Sequence, residues 1–247
     1  MGLRALLHKV AGKRRRPQDG LLSFRTQEYL MINSARQSHL ASLGLDLEGK
    51  TVLEIGSGPG DHTGFFLKRR CRVTSLDARQ ECLTALREKH PGVTTHVMDM
   101  EQPEGLDALG RFQVVYCYGL LYHLRDPRPA LRACAKVCEG ILLLETCVSP
   151  GAQSRRVLRP EGGDPTQAFS RMGCRPTRRW VFEELSALFP CVYNTRTQPC
   201  HAQFPLDWRA APADGLIRAV FVASRTPLDS PFLCPGLVEV HDPYPTP

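Results

Sequence analysis

Three glycines, Gly56, Gly58 and Gly60, stand within five residues, directly behind the apolar run of residues 52–55 in "TVLEIGSGPGDHT". Glycine accepts positive φ and brings no Cβ, so such a cluster marks a tight turn whose bare backbone something approaches closely. A turn of this kind behind a short apolar strand fits the first strand-to-helix junction of an α/β sheet, where ligands gather at the carboxyl ends of the strands.

The pattern downstream agrees. "TVLEIG" reads as a strand and residues 61–70 as a helix. "CRVTSLD" is a second strand, "ARQECLTALREKH" a helix with Leu83 and Leu86 inward, "VTTHVMD" a third strand and "FQVVYCYG" a fourth. "PALRACAKVC" is a helix and "GILLLETCV" a fifth strand. Alternation at this spacing predicts a parallel sheet covered on both faces. Ahead of it, residues 34–45 place Ala35, His39 or Leu40, and Leu43 on one helical face. Residues 149–176 break the rhythm with Gly, Pro and Arg, and are expected to form an irregular substrate lid. "TRRWVFEELSALF" resumes as a helix with Thr177 as its N-cap, and "CVYNTRTQ" and "GLIRAVFVAS" close the sheet as two strands. The expected organisation is a basic flexible tail over residues 1–20, one domain over 21–226, and a proline-rich C-terminal tail over 227–247 outside the core.

Composition narrows the function classes. The 247-residue chain carries a formal charge of +7, and Arg4, Lys9, Lys13, Arg14, Arg15 and Arg16 supply most of it from a segment without acids. The remainder is nearly neutral, a poor footprint for RNA, so a nucleic-acid partner is open through the tail but not favoured. No apolar run reaches the ~18–20 residues of a membrane-spanning helix, and "MGLRALLHKVAGKRRR" lacks the apolar centre of a secretory signal. The ten cysteines form no paired short spacing. They read as reduced thiols of a cytoplasmic protein, and no metal site is expected. Oligomeric state is not legible.

The loop discriminates between cofactors. A dinucleotide fold needs G-x-G-x-x-G, with free N–H groups facing a pyrophosphate. Here Pro59 has no N–H, and Asp61, placed to cap the following helix, opposes a phosphate. With "VLEIGSGPG", "VTSLD", "HVMDM" and "VVYCYGLLYHLRDPRPALRACAKVCEGILLLE" in order, the chain resembles the class I S-adenosylmethionine-dependent methyltransferases. The resemblance implies a Rossmann-like, doubly wound α/β fold whose seven-stranded sheet is mostly parallel with its last strand antiparallel. It also implies S-adenosylmethionine as cofactor. Glu54 matches the acid of the first motif, Asp77 the residue that binds the ribose hydroxyls, and Asp99 with Met100 the adenine position. Gly56, Ser57, Gly58, Gly60, Ala78 and Tyr118 complete the implied cofactor set.

Methyl transfer needs the acceptor positioned and, for a hydroxyl, deprotonated. His123 lies just past the fourth strand, His62 follows the glycine loop, and Glu145 interrupts an apolar strand where an unpaired charge is costly. These three are the candidate catalytic residues. Arg171, Arg178 and Arg179 are candidates to clamp an acidic substrate, and His201, Asp207 and Trp208 lie on an irregular segment nearby. A shorter resemblance, "GLLYHLRDP" followed by "LLLET", is similar to bacterial transferases that modify the wobble uridine of transfer RNA with a carboxylated relative of S-adenosylmethionine. The favoured expectation is methylation of a small-molecule acceptor at oxygen or nitrogen. The alternatives are a transfer RNA-modifying transferase and a non-catalytic S-adenosylmethionine-binding module.

Overall fold

β5 (Cys138–Val148) and β9 (Ile217–Ser224) lie at the middle of the sheet because their apolar runs satisfy burial on both faces. In the computed structural model, which describes residues 21–164, 166–212 and 215–244, eight strands form one sheet in the order β3-β2-β1-β4-β5-β9-β8-β10. The others are β1 (Thr51–Ile55), β2 (Arg72–Asp77), β3 (Thr94–Val97), β4 (Phe112–Tyr118), β8 (Cys191–Thr195) and β10 (Leu233–Cys234). β1 to β5 pair in parallel, while β9 runs antiparallel to both β5 and β8. The expected seven strands are therefore present, with a short eighth at the edge. The basic tail lies outside the described residues.

Alternating residues of the strands feed two cores. Val52, Val114, Leu143 and Val220 meet α1 (Gln27–Ser42), α2 (Thr63–Leu67) and α3 (Gln80–Lys89) through Leu40, Phe66, Leu83 and Leu86. Leu53, Val115, Leu144 and Phe221 meet α4 (Arg128–Val137) and α5 (Arg178–Ser186) through Leu131, Trp180 and Leu185. Helices thus cover both faces, the doubly wound arrangement. Thr177 caps α5 as expected, its hydroxyl accepting from Trp180 N at 3.3 Å. No helix among the described residues is long and apolar enough to cross a membrane.

Three details differ from the sequence expectation. α1 starts at Gln27, well before residue 34, and a 3₁₀ turn over Leu22–Arg25 precedes it. Asp61 does not cap α2: His62 holds that position, and Asp61 Oδ1 accepts from Lys89 Nζ at 2.5 Å. Residues 149–176 are not irregular throughout, because β6 (Arg156–Pro160) and β7 (Met172–Pro176) form an antiparallel hairpin. The exposed β6 carries no apolar alternation, so periodicity does not announce it.

The proline-rich C-terminal segment also docks. β10 pairs with β8, Arg196 N donates to Phe232 O at 2.8 Å, and Asp242 N donates to Arg196 O at 2.8 Å. Proline prevents a regular ladder there, yet isolated bonds between the prolines suture the chain to the sheet edge. Leu233 is buried among the α1-side core residues. Leu233→Ala should therefore cost about 2–3 kcal/mol, read from the urea midpoint. A change below ~0.5 kcal/mol, typical of a surface site, would show that the segment contributes nothing to the fold.

Candidate functional site

The carboxyl ends of β1, β2 and β4 open into a cavity of about 410 Å³. Its floor is the glycine turn, where Gly56, Gly58 and Gly60 have φ of +70°, +53° and +80°. A Cβ on Gly56 would stand 3.0 Å from Leu120 Cβ, and one on Gly60 2.7 Å from Leu86 Cγ, so glycine is needed for both conformation and space. Every N–H of the turn is committed. Gly56 N and Ser57 N donate to Leu76 O (2.9 Å each), Gly58 N to Asp77 Oδ2 (2.8 Å) and Gly60 N to Ser57 O (3.1 Å). Pro59 has none to offer. The turn is a close-approach surface without an anion-binding nest, the reverse of what a pyrophosphate requires.

Carboxylates stand on two neighbouring strand ends. Asp77 takes Gly58 N on one oxygen and Arg79 N (2.8 Å) on the other, leaving a lone pair on each for an outside donor. Burial pushes its carboxyl above the usual range, against the pull of those two N–H groups. Asp99 accepts from Glu101 N at 2.9 Å, and Met98, Met100 and Leu120 supply apolar wall beside it. Glu54, beneath the turn, is 1% exposed. Its Oε2 accepts from Thr63 Oγ1 (2.6 Å) and Ser75 Oγ (2.8 Å), while Oε1 is buried without a partner among the described residues. Burial raises this carboxyl to about 7. Glu54, Gly56, Ser57, Gly58, Asp77, Ala78, Asp99, Met100 and Tyr118 all line the cavity, whereas Gly60 does not and instead seats the turn on α3.

The opposite end joins the turn after β4, the 149–176 lid and the irregular segment around Gln203, all expected at the acceptor side, to α1 and β9, which the sequence patterns did not assign to the site. α1 contributes Tyr29, Asn33 and Arg36, the 3₁₀ turn Leu121–His123 contributes Tyr122 and His123, and Arg175, Gln203 and Arg218 complete the wall. His123 is there as expected, with Nδ1 2.5 Å from Glu161 Oε2. His62 reaches the wall with both nitrogens occupied. Asn33 Oδ1 accepts from Arg36 Nη1 (3.0 Å) and from His62 Nε2 (2.9 Å), so His62 Nδ1 is left to accept from the Tyr116 hydroxyl (2.5 Å). Burial, then the Arg36 and Lys89 charges, lower its pKa to about 3. His62 is a neutral relay in a buried network with no lone pair for an acceptor.

Glu145 is not at the cavity surface. It has no exposed area, and it accepts from Arg36 Nη2 (2.7 Å) and Arg218 Nη1 (3.0 Å). Two guanidiniums on one carboxylate make it a structural anchor, which corrects its reading as a candidate base. Arg178 pairs with Glu239 (3.0 Å) and Arg179 with Glu183 (3.9 Å), both away from the cavity, and Arg171 does not line it. Of residues 198–208 only Gln203 lines it, holding Arg218 Nε at 2.6 Å.

Residues 52–140 match the family model described as a methyltransferase domain. Over these residues the chain carries a methyltransferase domain similar to those of the class I S-adenosylmethionine-dependent methyltransferases. The ubiquinone biosynthesis O-methyltransferase of Erwinia tasmaniensis is 33% identical over 109 residues, which cover 43% of this chain and 45% of the relative. The enzyme of the same name from Escherichia coli O157:H7 (strain EC4115 / EHEC) is 31% identical over the same shares. The chain thus spans less than half the length of the curated relatives it matches. Among solved structures, the N-terminal domain of EvdMO1 with SAH bound has a TM-score of 0.61 at 19% identity, covering 81% of this chain and 84% of that one. Magnesium protoporphyrin IX methyltransferase (ChlM) from Synechocystis PCC 6803 with bound SAM has a TM-score of 0.53 at 14% identity, covering 87% and 86%. Both likenesses concern the fold. The family model runs from residue 52 to 140 and so leaves out α1 before it and the hairpin and β9 after it, which build most of the far wall.

Two outcomes follow from the buried network. Glu145→Ala leaves two buried guanidiniums uncompensated and should destabilise the protein by about 3–5 kcal/mol, measured by denaturant unfolding. A loss under ~1 kcal/mol would show that the pair is not an anchor. For His62, the folded pKa of about 3 lies below the usual imidazole value of 6.5, so the unfolded chain binds more protons between those values. Its contribution to stability is therefore full above pH 6.5 and lost as pH falls toward 3. His39 and His241, each lowered by burial to about 4, act in the same direction, and the raised Glu54 opposes them. His62→Gln should flatten the acid limb of stability against pH. An unchanged slope would show that His62 is not held neutral.

Proposed function

We propose that this domain transfers a methyl group from S-adenosylmethionine to an oxygen of a small-molecule acceptor. The observation that carries the reading is the glycine turn with all its N–H groups committed, facing two carboxylates on successive strand ends in one cavity. A ligand with hydroxyl and amino donors but no phosphate matches that floor. The residues fit S-adenosylmethionine: Asp77 has outer lone pairs for a pair of hydroxyls, and Asp99 lies among apolar side chains suited to a flat base. Glu54 Oε1 is a buried acceptor without a donor, which a cationic group would supply. When bound, the cofactor supplies a methyl carbon on a sulfonium, activated for displacement by an oxygen lone pair as the C–S pair leaves onto sulfur.

The chain's own residues then have two tasks. The cavity must hold the acceptor oxygen in line, and a base must take its proton. His123 is the group in the far wall with an imidazole nitrogen, Nε2, that makes no hydrogen bond among the described residues. Burial lowers its pKa, only partly offset by Glu161, so the imidazole is neutral and able to accept at pH 7. Oxygen is favoured over nitrogen by this placement and by the O-methyltransferase names of the relatives. The small-molecule reading is favoured over transfer RNA because the cavity lies in the ~300–1,000 Å³ range of small-ligand sites and is roofed by Phe24 and Tyr29.

Asp77→Ala should weaken S-adenosylmethionine binding by ~1.5–3 kcal/mol, the loss expected when hydrogen bonds to a charged group vanish, as read by calorimetry. Asp77→Asn, which retains shape, separates loss of charge from collapse of the Gly58 contact. Unchanged affinity, or binding of NAD in place of S-adenosylmethionine, would overturn the reading.

A further inference from the structure

We infer that Glu161, carried by the β6–β7 hairpin, is the positioning residue for His123, so that seating the hairpin assembles the base. The inference rests on the methyl-transfer reading of the cavity. His123 stands at the end of the 3₁₀ turn that follows β4, with its side chain 11% exposed. A carboxylate can only accept, so the Glu161 contact places the imidazole hydrogen on Nδ1 and leaves the lone pair on Nε2. Among the described residues Nε2 has no partner, and His123 lines the cavity.

Glu161 is itself held. Its side chain is 2% exposed, Oε2 also accepts from Ala168 N at 2.7 Å, and Oε1 accepts from Arg175 Nη1 at 3.2 Å. Burial raises this carboxyl, but His123, the Ala168 N–H and Arg175 together hold it below the ordinary value, so it stays ionised. The contacts come from both arms of the hairpin: Glu161 follows β6, whereas Arg175 belongs to β7 and also donates to Tyr122 O at 3.2 Å. Gly173 permits the approach. A Cβ there would overlap Tyr122 O and lie 2.6 Å from Glu161 Oε1. The hairpin tip meets the roof through Ser23 Oγ, which donates to Asp164 Oδ2 at 2.9 Å.

These contacts give the hairpin a chemical role beyond cover. As the acceptor oxygen forms its bond to carbon, its proton passes to His123 Nε2. The Nδ1–H remains on the ring, directed at Glu161. The resulting imidazolium is paired with a carboxylate already in place, and it later releases the Nε2 proton to water. Without Glu161 the ring has no fixed tautomer and its charged form no partner.

The test uses the full chain with ¹⁵N-labelled histidine, and His123 is assigned by its absence in His123→Gln. The wild type should show the Nδ1–H tautomer. In Glu161→Gln the tautomer should become mixed and the ring should titrate at lower pH, because the negative neighbour that raises it is gone. Turnover is followed with 3,4-dihydroxybenzoate as the hydroxyl probe. Glu161→Gln should lower kcat about 10- to 100-fold, with S-adenosylmethionine affinity unchanged by calorimetry, and Glu161→Asp should recover part of the rate. Glu161→Asp also serves if the glutamine variant fails to fold. Gly173→Ala should reproduce the loss while leaving both partners intact. An Nε2–H tautomer in the wild type, or an unchanged tautomer and titration in Glu161→Gln, would overturn the dyad. A folded Gly173→Ala with the wild-type His123 signature would overturn the hairpin's part. If the wild type binds the cofactor and leaves the diol unmethylated, the acceptor reading falls, and the His123 spectrum decides the dyad by itself.

Discussion

A carboxylate with no exposed surface sits in the central strand of this protein, and the site depends on how it is neutralised. Glu145 interrupts the apolar run of β5 and is clasped by Arg36 from α1 and Arg218 from β9. Each arginine has a second task at the cavity wall. Arg36 holds Asn33, which orients His62, and Arg218 holds Gln203 and the Tyr122 hydroxyl, the latter at 3.2 Å. Removing a partner from such a set costs more than its attraction returns, since the remaining charges stay buried. The anchor therefore fixes the N-terminal helix and the antiparallel strand relative to the parallel sheet, and the far wall is built on both.

The near end of the cavity follows a different logic. There, backbone rather than charge sets the shape, because three positive-φ glycines and a proline leave no free N–H on the turn and let neighbouring side chains approach it closely. Asp77 serves twice: it pins Gly58 N and still offers outer lone pairs to the cavity. The glycine turn and the carboxylate that faces it are thus one unit, and a change at either is felt by both.

This contrast explains what the residue pattern revealed. Strand and helix alternation, the glycine spacing and the acids at strand ends are short-range features, and they placed β1 to β5 and nearly the whole near wall. Glu145 was legible as a charge needing a partner, but its partners lie 109 and 73 residues away along the chain. One clue was available: Arg218 is the only charge in the buried run of β9, and two opposite charges inside adjacent buried strands point to each other. Glu161 had no such clue, because the residues around it combine Arg, Pro and Gly without period. Its role arises from the hairpin register, Arg159 opposite Gly173, which brings it to the His123 turn. The docked C-terminal segment was hidden for a related reason, since its bonds to the sheet edge are isolated and leave no periodic trace.

The division between the two walls also bears on substrate choice. The family match ends at residue 140, within the half that forms the glycine turn and the two acids. Most of the far wall comes from outside it: Tyr29, Asn33 and Arg36 on α1, Glu161 and Arg175 on the hairpin, Gln203 and Arg218 near β9. A fold of this kind can retain one floor while its connecting segments vary, since loops and appended helices tolerate change that the strand ends do not. His123 stands at the boundary: it is inside the matched region, but the carboxylate that orients it is not. The shared half accordingly speaks for the chemistry of the donor. The acceptor end that we propose lies where α1, the hairpin and β9 meet, and the Glu145 anchor holds two of those three in register.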